Sequence, residues 1–125
     1  MRIYIAGTFE DQKDLNEVGH KLWSLGHEIT GTWLQETAKP PEMTSDEFKK
    51  KLAIKDIAEV TMADLIILDN RRSSGGKNCE WGVSLGQFQK KILWLVGEPS
   101  NVFHYLADEK FANWEEVYER LSHKG

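Results

Sequence analysis

The fold is decided by the stretch Ala63-Asp64-Leu65-Ile66-Ile67-Leu68-Asp69. A nearly continuous apolar run of this length is typical of a strand in the middle of a parallel sheet, because helices cover both of its faces. On either side of the stretch, short apolar runs alternate with amphipathic helical segments. That alternation predicts a parallel sheet covered by helices.

Four further apolar runs predict the remaining strands. They are Arg2 to Ala6, His27 to Thr32, Ile92 to Val96 and, at an edge of the sheet, Lys110 to Ala112. We therefore expect an α/β fold, a flavodoxin/Rossmann-like three-layer sandwich with a mainly parallel sheet of about five strands. The sequence contains no repeat or low-complexity linker, so residues 1–125 are expected to form a single domain.

The helices are predicted from apolar residues at helical spacing. The first should bury a stripe made of Leu15, Val18, Leu22 and Trp23. The second should turn inward Phe48, Leu52, Ile54, Ile57 and Val60. A third is expected from about Asn78 to Gln89, and a fourth should be capped by Asn113. Residues 34 to 43 contain two prolines and are predicted to form a long loop.

The composition limits the partners. The net charge is −4, and the longest basic run, Lys49-Lys50-Lys51, is flanked by acidic residues. A DNA or RNA polymer needs a positive surface, so it is not expected, whereas one small anionic ligand remains possible. No apolar run approaches the ~20 residues that cross a bilayer, and the N-terminal segment does not resemble a secretory signal. The expected location is cytoplasmic, without a membrane partner.

Disulfide and metal chemistry are not expected. Cys79 is the only cysteine. The histidines show no metal-ligand spacing, so the sequence does not predict a zinc site. They are His20, His27, His104 and His123.

Ligands of an open parallel sheet bind at the carboxyl ends of its strands, near the point where the strand order reverses. Three segments should meet there, namely Gly7-Thr8-Phe9, Asp69 to Gly76, and Gly97 to Ser100. Asp69 and Asn70 end the central strand, so both are candidates for ligand contact.

The most informative of these segments leads into the third helix. It contains Ser73-Ser74-Gly75-Gly76, whose hydroxyls and unblocked backbone amides suit a phosphate or a sugar oxygen. The lysine followed by Ser or Thr that a P-loop requires is missing.

Glu80 is the first candidate for catalysis. We expect it in the first turn of the third helix, where the helix dipole favours an ionised carboxylate by about 0.3–1 kcal/mol. An ionised carboxylate at the mouth of a sheet can attack an anomeric carbon or stabilise an oxocarbenium ion. The position also suits an ordinary acidic residue of a first helical turn, and both interpretations stand.

Three other residues are candidates on weaker grounds. Asp56 shares a helical face with Leu52 and Val60 and should point inward, either as a functional carboxylate or as the partner of a basic group. Tyr4 is an ordinary core aromatic unless its hydroxyl reaches Glu80. Trp33 follows the second strand, where it could stack on a base or simply pack.

Four segments, in register, resemble the nucleoside 2-deoxyribosyltransferase superfamily, including its branch of 2′-deoxynucleoside 5′-phosphate N-hydrolases. They are Tyr4-Ile5-Ala6-Gly7-Thr8-Phe9, Asp56 eight residues before Asp64, Ser74-Gly75-Gly76 followed by Glu80-Trp81-Gly82, and Lys91-Ile92-Leu93. Together they cover most of the chain.

The resemblance implies a role for each segment. The nucleophilic glutamate falls on Glu80, the general acid on Asp56 and the tyrosine that orients the nucleophile on Tyr4. Gly7 and Thr8 would line the sugar pocket, whereas Ser74 and Gly76 would hold the 5′ end.

The resemblance also concerns assembly and cofactors. Asn101 to His104 is similar to a segment that reaches the site of a neighbouring subunit, so a homodimer or larger homo-oligomer is implied. Gly82 and Gly86, on one helix face, indicate the close approach of another helix, within the core or across such an interface. No metal or organic cofactor is implied.

Hydrolysis is favoured over base transfer. Transferases of this superfamily typically carry an aspartate six residues before the nucleophile, and this chain has Ser74 there. Arg71 and Arg72 could add positive charge, so a nucleoside 5′-monophosphate is the expected substrate. A nucleotide-binding module without catalysis, and an NAD-cleaving enzyme on the same fold, remain as alternatives.

Overall fold

A computed structural model of the chain describes residues 1–35, 46–72, 75–87 and 90–122. Its sheet has five strands, namely β1 Arg2–Ala6, β2 Glu28–Ile29, β3 Leu65–Asp69, β4 Ile92–Val96 and β5 Glu109–Phe111. Their order is β2-β1-β3-β4-β5, and every neighbouring pair is parallel. The predicted fold class is confirmed.

Four α-helices flank the sheet. They are α1 Gln12–Ser24, α2 Asp46–Met62, α3 Gly75–Leu85 and α4 Trp114–Ser122. In the described residues, the connections also contain three short 3₁₀ helices, at Phe9–Asp11, Thr32–Gln35 and Val102–Leu106. Helices α2 and α3 pack against each other, whereas α1 faces α4, where the Lys21 ammonium lies 5.9 Å from the ring centre of Tyr118. No helix in the described part of the chain combines the length and the apolar character that a membrane span requires.

The strand order places a topological switch point between β1 and β3. From β1 the chain moves outward to β2 and then returns to the other side of β1, to β3 and β4. The loops after β1 and β3 therefore diverge at their carboxyl ends and leave a crevice, where ligands bind in folds of this kind. Both strands are buried along nearly their whole length, which makes the floor of the crevice rigid.

Two expectations about the helices are wrong. Trp23 is 71% exposed on α1, although Leu15, Val18 and Leu22 are buried as expected. In α2, Ile54 and Ile57 are 62% and 48% exposed.

The geometry of α2 explains its exposed isoleucines. Glu59 lies three positions after Asp56, and Val60, the fully buried residue of this helix, lies four positions after it. Because residues at these spacings lie side by side, all three share one face of the helix. The face that the sheet covers therefore carries two carboxylates, and the isoleucines turn outward.

Several predicted boundaries also move. The second strand contains only Glu28–Ile29, since the chain turns into a 3₁₀ helix at Thr32. Helix α3 begins at Gly75 rather than near Asn78 and ends at Leu85. The last strand is Glu109–Phe111, and the predicted loop beyond Gln35 lies outside the described residues.

Candidate active site

The side chains of Tyr4 and Glu80 meet in the crevice. Tyr4 lies in the middle of β1 and is completely buried, so its ring is fixed by the core. Its hydroxyl donates a hydrogen bond to Oε2 of Glu80, on α3. The fold thus joins two residues that are 76 positions apart in the sequence.

Glu80 lies in the second turn of α3, not in the first. Because α3 begins at Gly75, Glu80 is its sixth residue, and the dipole effect expected for a first turn is weak there. Burial raises the pKa of Glu80 to about 7; the Tyr4 hydrogen bond opposes this rise, and the charges of Asp56 and Glu59 add to it. At neutral pH the carboxyl group is therefore divided between its acid and its ionised form.

Tyr4 remains a proton donor throughout the physiological range. Burial raises the pKa of its phenol far above the usual value, and the negative charges of Glu80, Asp56 and Glu59 raise it further. The phenol therefore stabilises the ionised form of Glu80 through a hydrogen bond and does not take up its negative charge.

Two carboxylates of α2 face this pair. Asp56 is partly buried and acts electrostatically on both Tyr4 and Glu80. Glu59 follows one turn later and does the same, while its carboxylate accepts hydrogen bonds from the backbone N–H and the hydroxyl of Thr32, at 3.1 and 2.7 Å. Among the described residues, the crevice therefore contains three carboxyl groups and one phenol.

Trp33 is not open to stack on a base. It is only 7% exposed, and its indole N–H donates to the carbonyl oxygen of Ile5 at 2.8 Å. Phe9, the aromatic residue beside it, is 51% exposed, with its ring centre 6.5 Å from that of Trp33. Beside Trp33, the exposed aromatic surface is therefore that of Phe9.

Gly7 and Thr8 line the start of the loop after β1. A Cβ atom on Gly7 would clash with the side chain of Leu15, so this glycine lets α1 approach the sheet. The buried Thr8 hydroxyl donates to Oδ2 of Asp11 at 2.8 Å. Both residues therefore shape the loop itself.

Asp69 and Asn70 make contacts that hold neighbouring loops together. The buried Asp69 carboxylate accepts from the guanidinium of Arg71 at 2.6–2.9 Å and from the indole of Trp114 at 2.9 Å. The Asn70 amide donates to the carbonyl oxygen of Glu98 at 2.6 Å and to the hydroxyl of Ser100 at 3.2 Å. The Asp69 carboxylate is thus engaged by Arg71 and Trp114, and its contact with a ligand stays a prediction.

The two arginines after β3 are paired with carboxylates. Besides Asp69, Arg71 lies 3.8 Å from Asp14. Arg72 lies 3.2 Å from Asp11 and 3.8 Å from Glu10. The two guanidinium groups therefore add little net positive charge to this edge.

The segment that was expected to hold the 5′ end is described only in part. Gly75 and Gly76 are the first two residues of α3, whereas Ser73 and Ser74 lie outside the described residues. Lys77 follows, fully buried, and its ammonium donates to the carbonyl oxygens of Asp69 and Arg72. This lysine fastens the loop after β3 to the helix that carries Glu80.

Asn101 and His104 serve their own chain. The Asn101 side chain accepts from the backbone N–H groups of residues 103 and 104 and so caps the 3₁₀ helix Val102–Leu106. His104 is buried; its Nδ1 accepts from the backbone of Ser100 at 3.0 Å, which leaves Nε2 to donate to Asn78 at 2.8 Å. Within this chain the His104 ring is enclosed, and the expectation that the segment reaches a neighbouring site stays a prediction.

Glu59 and the segment that contacts it were not predicted from the sequence. A helical signal was available, since Glu59 lies three positions after Asp56 and therefore on the same face. No pattern in the sequence indicates that Thr32 would bind it, because that contact depends on where the second strand ends.

Comparisons with known proteins support the fold. No protein-family model and no curated protein sequence matches the chain. Among solved structures, it is similar to a 2-deoxyribosyltransferase from Bacillus psychrosaccharolyticus, with a TM-score of 0.74 and 23% identity over 100% of this chain and 93% of that one.

Two further solved structures have the same architecture. One is the CMP N-glycosidase BcmB of Clostridium botulinum, with a TM-score of 0.61 and 16% identity over 99% of this chain and 100% of that one. The other is a conserved protein from Enterococcus faecalis V583, with a TM-score of 0.69 and 14% identity over 97% and 96%. The fold that the sequence resemblance implied is therefore confirmed.

Proposed function

We propose that the protein cleaves the N-glycosidic bond of a nucleoside or nucleoside 5′-phosphate, with Glu80 as the nucleophile. The observation that carries this proposal is the hydrogen bond from Tyr4 to Glu80 in the switch-point crevice, with Asp56 close enough to act on both groups. Two solved structures of similar fold, a 2-deoxyribosyltransferase and a CMP N-glycosidase, agree with this proposal.

The mechanism follows from the positions of these groups. Ionised Glu80 attacks C1′ through one carboxylate oxygen while the bond to the base breaks, and Asp56 in its acid form gives a proton to the departing base. A glycosyl ester of Glu80 results. Water, deprotonated by Asp56, then attacks C1′ and releases the sugar with net retention of configuration.

Tyr4 holds the nucleophile in the reactive state. Its hydrogen bond opposes the effect of burial on the pKa of Glu80 and thereby increases the ionised fraction. It also fixes one carboxylate oxygen, which leaves the other to attack.

Hydrolysis of a nucleoside 5′-monophosphate is the finer form of the proposal. It rests on Ser74, which stands where transferases typically carry an aspartate, and it agrees with the name of the CMP N-glycosidase. The paired charges of Arg71 and Arg72 favour the second candidate, base exchange on a nucleoside with an uncharged 5′ hydroxyl.

We also propose that the protein forms a homodimer through the face where α3 meets the 3₁₀ helix Val102–Leu106. Four apolar side chains of that 3₁₀ helix are each more than half exposed, namely Val102, Phe103, Tyr105 and Leu106. Beside Phe103 lies an apolar cavity of about 580 Å³ that is also lined by Gly82 and Gly86. A Cβ atom on Gly82 would meet no described atom within 4 Å, so the glycine face of α3 is open to a partner.

The test is base release from nucleosides and nucleoside 5′-monophosphates, with the wild type and Glu80→Gln side by side. Release from monophosphates that is lost in the variant supports the hydrolase. Turnover only when a second free base is present supports the transferase. Nicotinamide release from NAD, or ligand binding without turnover of any substrate, would replace the proposal with one of the other two alternatives.

A further inference from the structure

The carboxylate of Glu59 joins α2 to the segment Thr30–Thr32. Its two oxygens accept from the Thr32 backbone N–H at 3.1 Å and from the Thr32 hydroxyl at 2.7 Å. The carbonyl oxygen of Glu59 accepts from the Thr30 hydroxyl at 3.0 Å. Three hydrogen bonds to one residue therefore fix this segment to the helix.

The segment so fixed lies against the ring of Tyr4. A Cβ atom on Gly31 would lie 3.1 and 3.2 Å from two ring carbons of Tyr4 and 3.3 Å from Trp33. Only glycine allows this approach without displacing a ring. On this side of the phenol, the backbone of Gly31 therefore limits where the Tyr4 ring can lie.

The charge of Glu59 acts on the same pair of residues. The groups that face Glu80 among the described residues are Tyr4 from β1 and Asp56 and Glu59 from α2. Asp56 and Glu59 both raise the pKa of Glu80 and that of Tyr4. Because Thr32 holds both oxygens of Glu59, this negative charge stays in one place.

We propose that Glu59 is a positioning residue for the reaction: through Thr30–Thr32 it holds the Tyr4 ring against Glu80, and it fixes a negative charge beside them. The inference rests on the proposed function, in which Glu80 is the nucleophile. Glu59 itself touches no reacting atom; it acts through Tyr4 and on the protonation of Glu80.

The charge is tested by a direct titration of Glu80. The protein is labelled with ¹³C at glutamate side-chain carboxyl groups, and the Glu80 signal is assigned by its absence in Glu80→Gln. In Glu59→Gln an amide oxygen can still accept from Thr32, but the charge is gone, so we expect the midpoint of the Glu80 titration to fall. The matched control is Glu47→Gln. Glu47 is an exposed residue of α2 about 18 Å from Glu59 along the helix axis, so its substitution should leave the midpoint of the Glu80 titration unchanged.

The activity of Glu59→Gln should follow the titration. The rising limb of kcat/KM moves to lower pH, so the ratio of kcat/KM at pH 6 to that at pH 8 increases. A shift of about half a pH unit corresponds to a two- to threefold increase in that ratio. A purely structural role for Glu59 would lower kcat/KM at every pH and leave the ratio unchanged.

The hydrogen bond is tested separately at Thr32. Thr32→Val removes the hydroxyl and keeps the shape, and we expect kcat to fall about threefold to tenfold with little change in KM. Thr32→Ser restores the donor and should restore kcat. Equal kcat values in the two variants would overturn the positioning role of this contact.

The outcomes separate this inference from the proposed function. If Glu59→Gln leaves the Glu80 midpoint unchanged while the wild type releases base, the inference fails and the function stands. If the wild type releases no base, the function fails, and the titration still shows whether Glu59 controls the protonation of Glu80. Urea unfolding of each variant confirms that the folded protein is measured.

Discussion

The phenol of Tyr4 donates its hydrogen bond to Glu80 across the crevice between β1 and α3. The two residues lie 76 positions apart in the chain, Tyr4 is completely buried and Glu80 is partly buried. This contact stabilises the ionised carboxyl group in a site where burial and two neighbouring charges favour the acid. The pKa of Glu80 is therefore set by the Tyr4 hydrogen bond, which lowers it, against burial and the charges of Asp56 and Glu59, which raise it.

Glu80→Gln should abolish base release and stabilise the protein at alkaline pH. Removal of a nucleophile lowers kcat by at least about a thousandfold. Because the pKa is raised from 4.5 to about 7 on folding, the stability that the acid form contributes is complete below about pH 4.5 and is lost as the pH rises through about 7. Glutamine does not ionise and escapes this loss.

The measurement is urea unfolding of both proteins at pH 5 and pH 8. From pH 5 to pH 8, we expect the free energy of unfolding of the variant to rise by on the order of 2 kcal/mol relative to that of the wild type. A difference that does not depend on pH would show that Glu80 titrates normally in the folded protein.

Tyr4→Phe should slow the reaction and move its pH dependence upward. Phenylalanine keeps the packing of a completely buried ring but removes the hydrogen bond that lowers the pKa of Glu80. We expect kcat at neutral pH to fall about tenfold to a hundredfold, since a hydrogen bond to a charged group is lost. The rising limb of kcat/KM should move to higher pH, which is the direction opposite to that of Glu59→Gln; a limb that stays in place would contradict the role given to Tyr4.

Asp56→Asn should affect poor leaving groups most. If Asp56 protonates the departing base, its loss lowers kcat about a hundredfold or more for ordinary nucleosides. A substrate whose leaving group needs no proton, such as a 4-nitrophenyl glycoside of the same sugar, should be much less affected. Equal losses of kcat for both substrates would exclude the role of general acid. A fall of several kcal/mol in the free energy of unfolding would instead indicate that Asp56 belongs to a buried ion pair.

Phe103→Asp should dissociate the proposed homodimer. A carboxylate in an apolar contact between two copies loses its water without gaining a partner. Sedimentation should show the mass of two chains for the wild type and of one chain for the variant. Trp23→Asp is the matched control and should leave the mass unchanged, because Trp23 is also a large exposed aromatic residue but lies on another helix, α1. A wild-type protein that sediments as one chain would refute the proposed dimer.

The sequence predicted the sheet well, because a strand that is buried on both faces needs apolar residues at nearly every position. Residues 65–69 and 92–96 are nearly continuous apolar runs, and the structure makes both of them strands. The inward face of α2 was predicted only in part. Asp56 and Val60 turn inward as expected, whereas Ile54 and Ile57 are exposed, because Glu59 occupies part of the inward face and an apolar pattern does not register a carboxylate there.

The individual site residues depend on long-range geometry. The resemblance singled out Tyr4 and Glu80, but their contact depends on the packing of α3 beside β1, and no local pattern contains it. Asp69 and Asn70 were candidates because they end a strand, and His104 was a candidate because of the resemblance. Each of them instead has partners within the chain, and such partners cannot be inferred from position in the sequence alone.

The stereochemistry of the product tests the central claim, attack by Glu80 on C1′, most directly. The reaction is run with a β-nucleoside or its 5′-phosphate in a mixture of water and methanol, because a methyl glycoside keeps the configuration with which it forms. Two displacements at C1′ predict that the methyl glycoside is the β anomer in the proton NMR spectrum. The α anomer would mean that the solvent attacks C1′ directly, and it would contradict a covalent intermediate on Glu80.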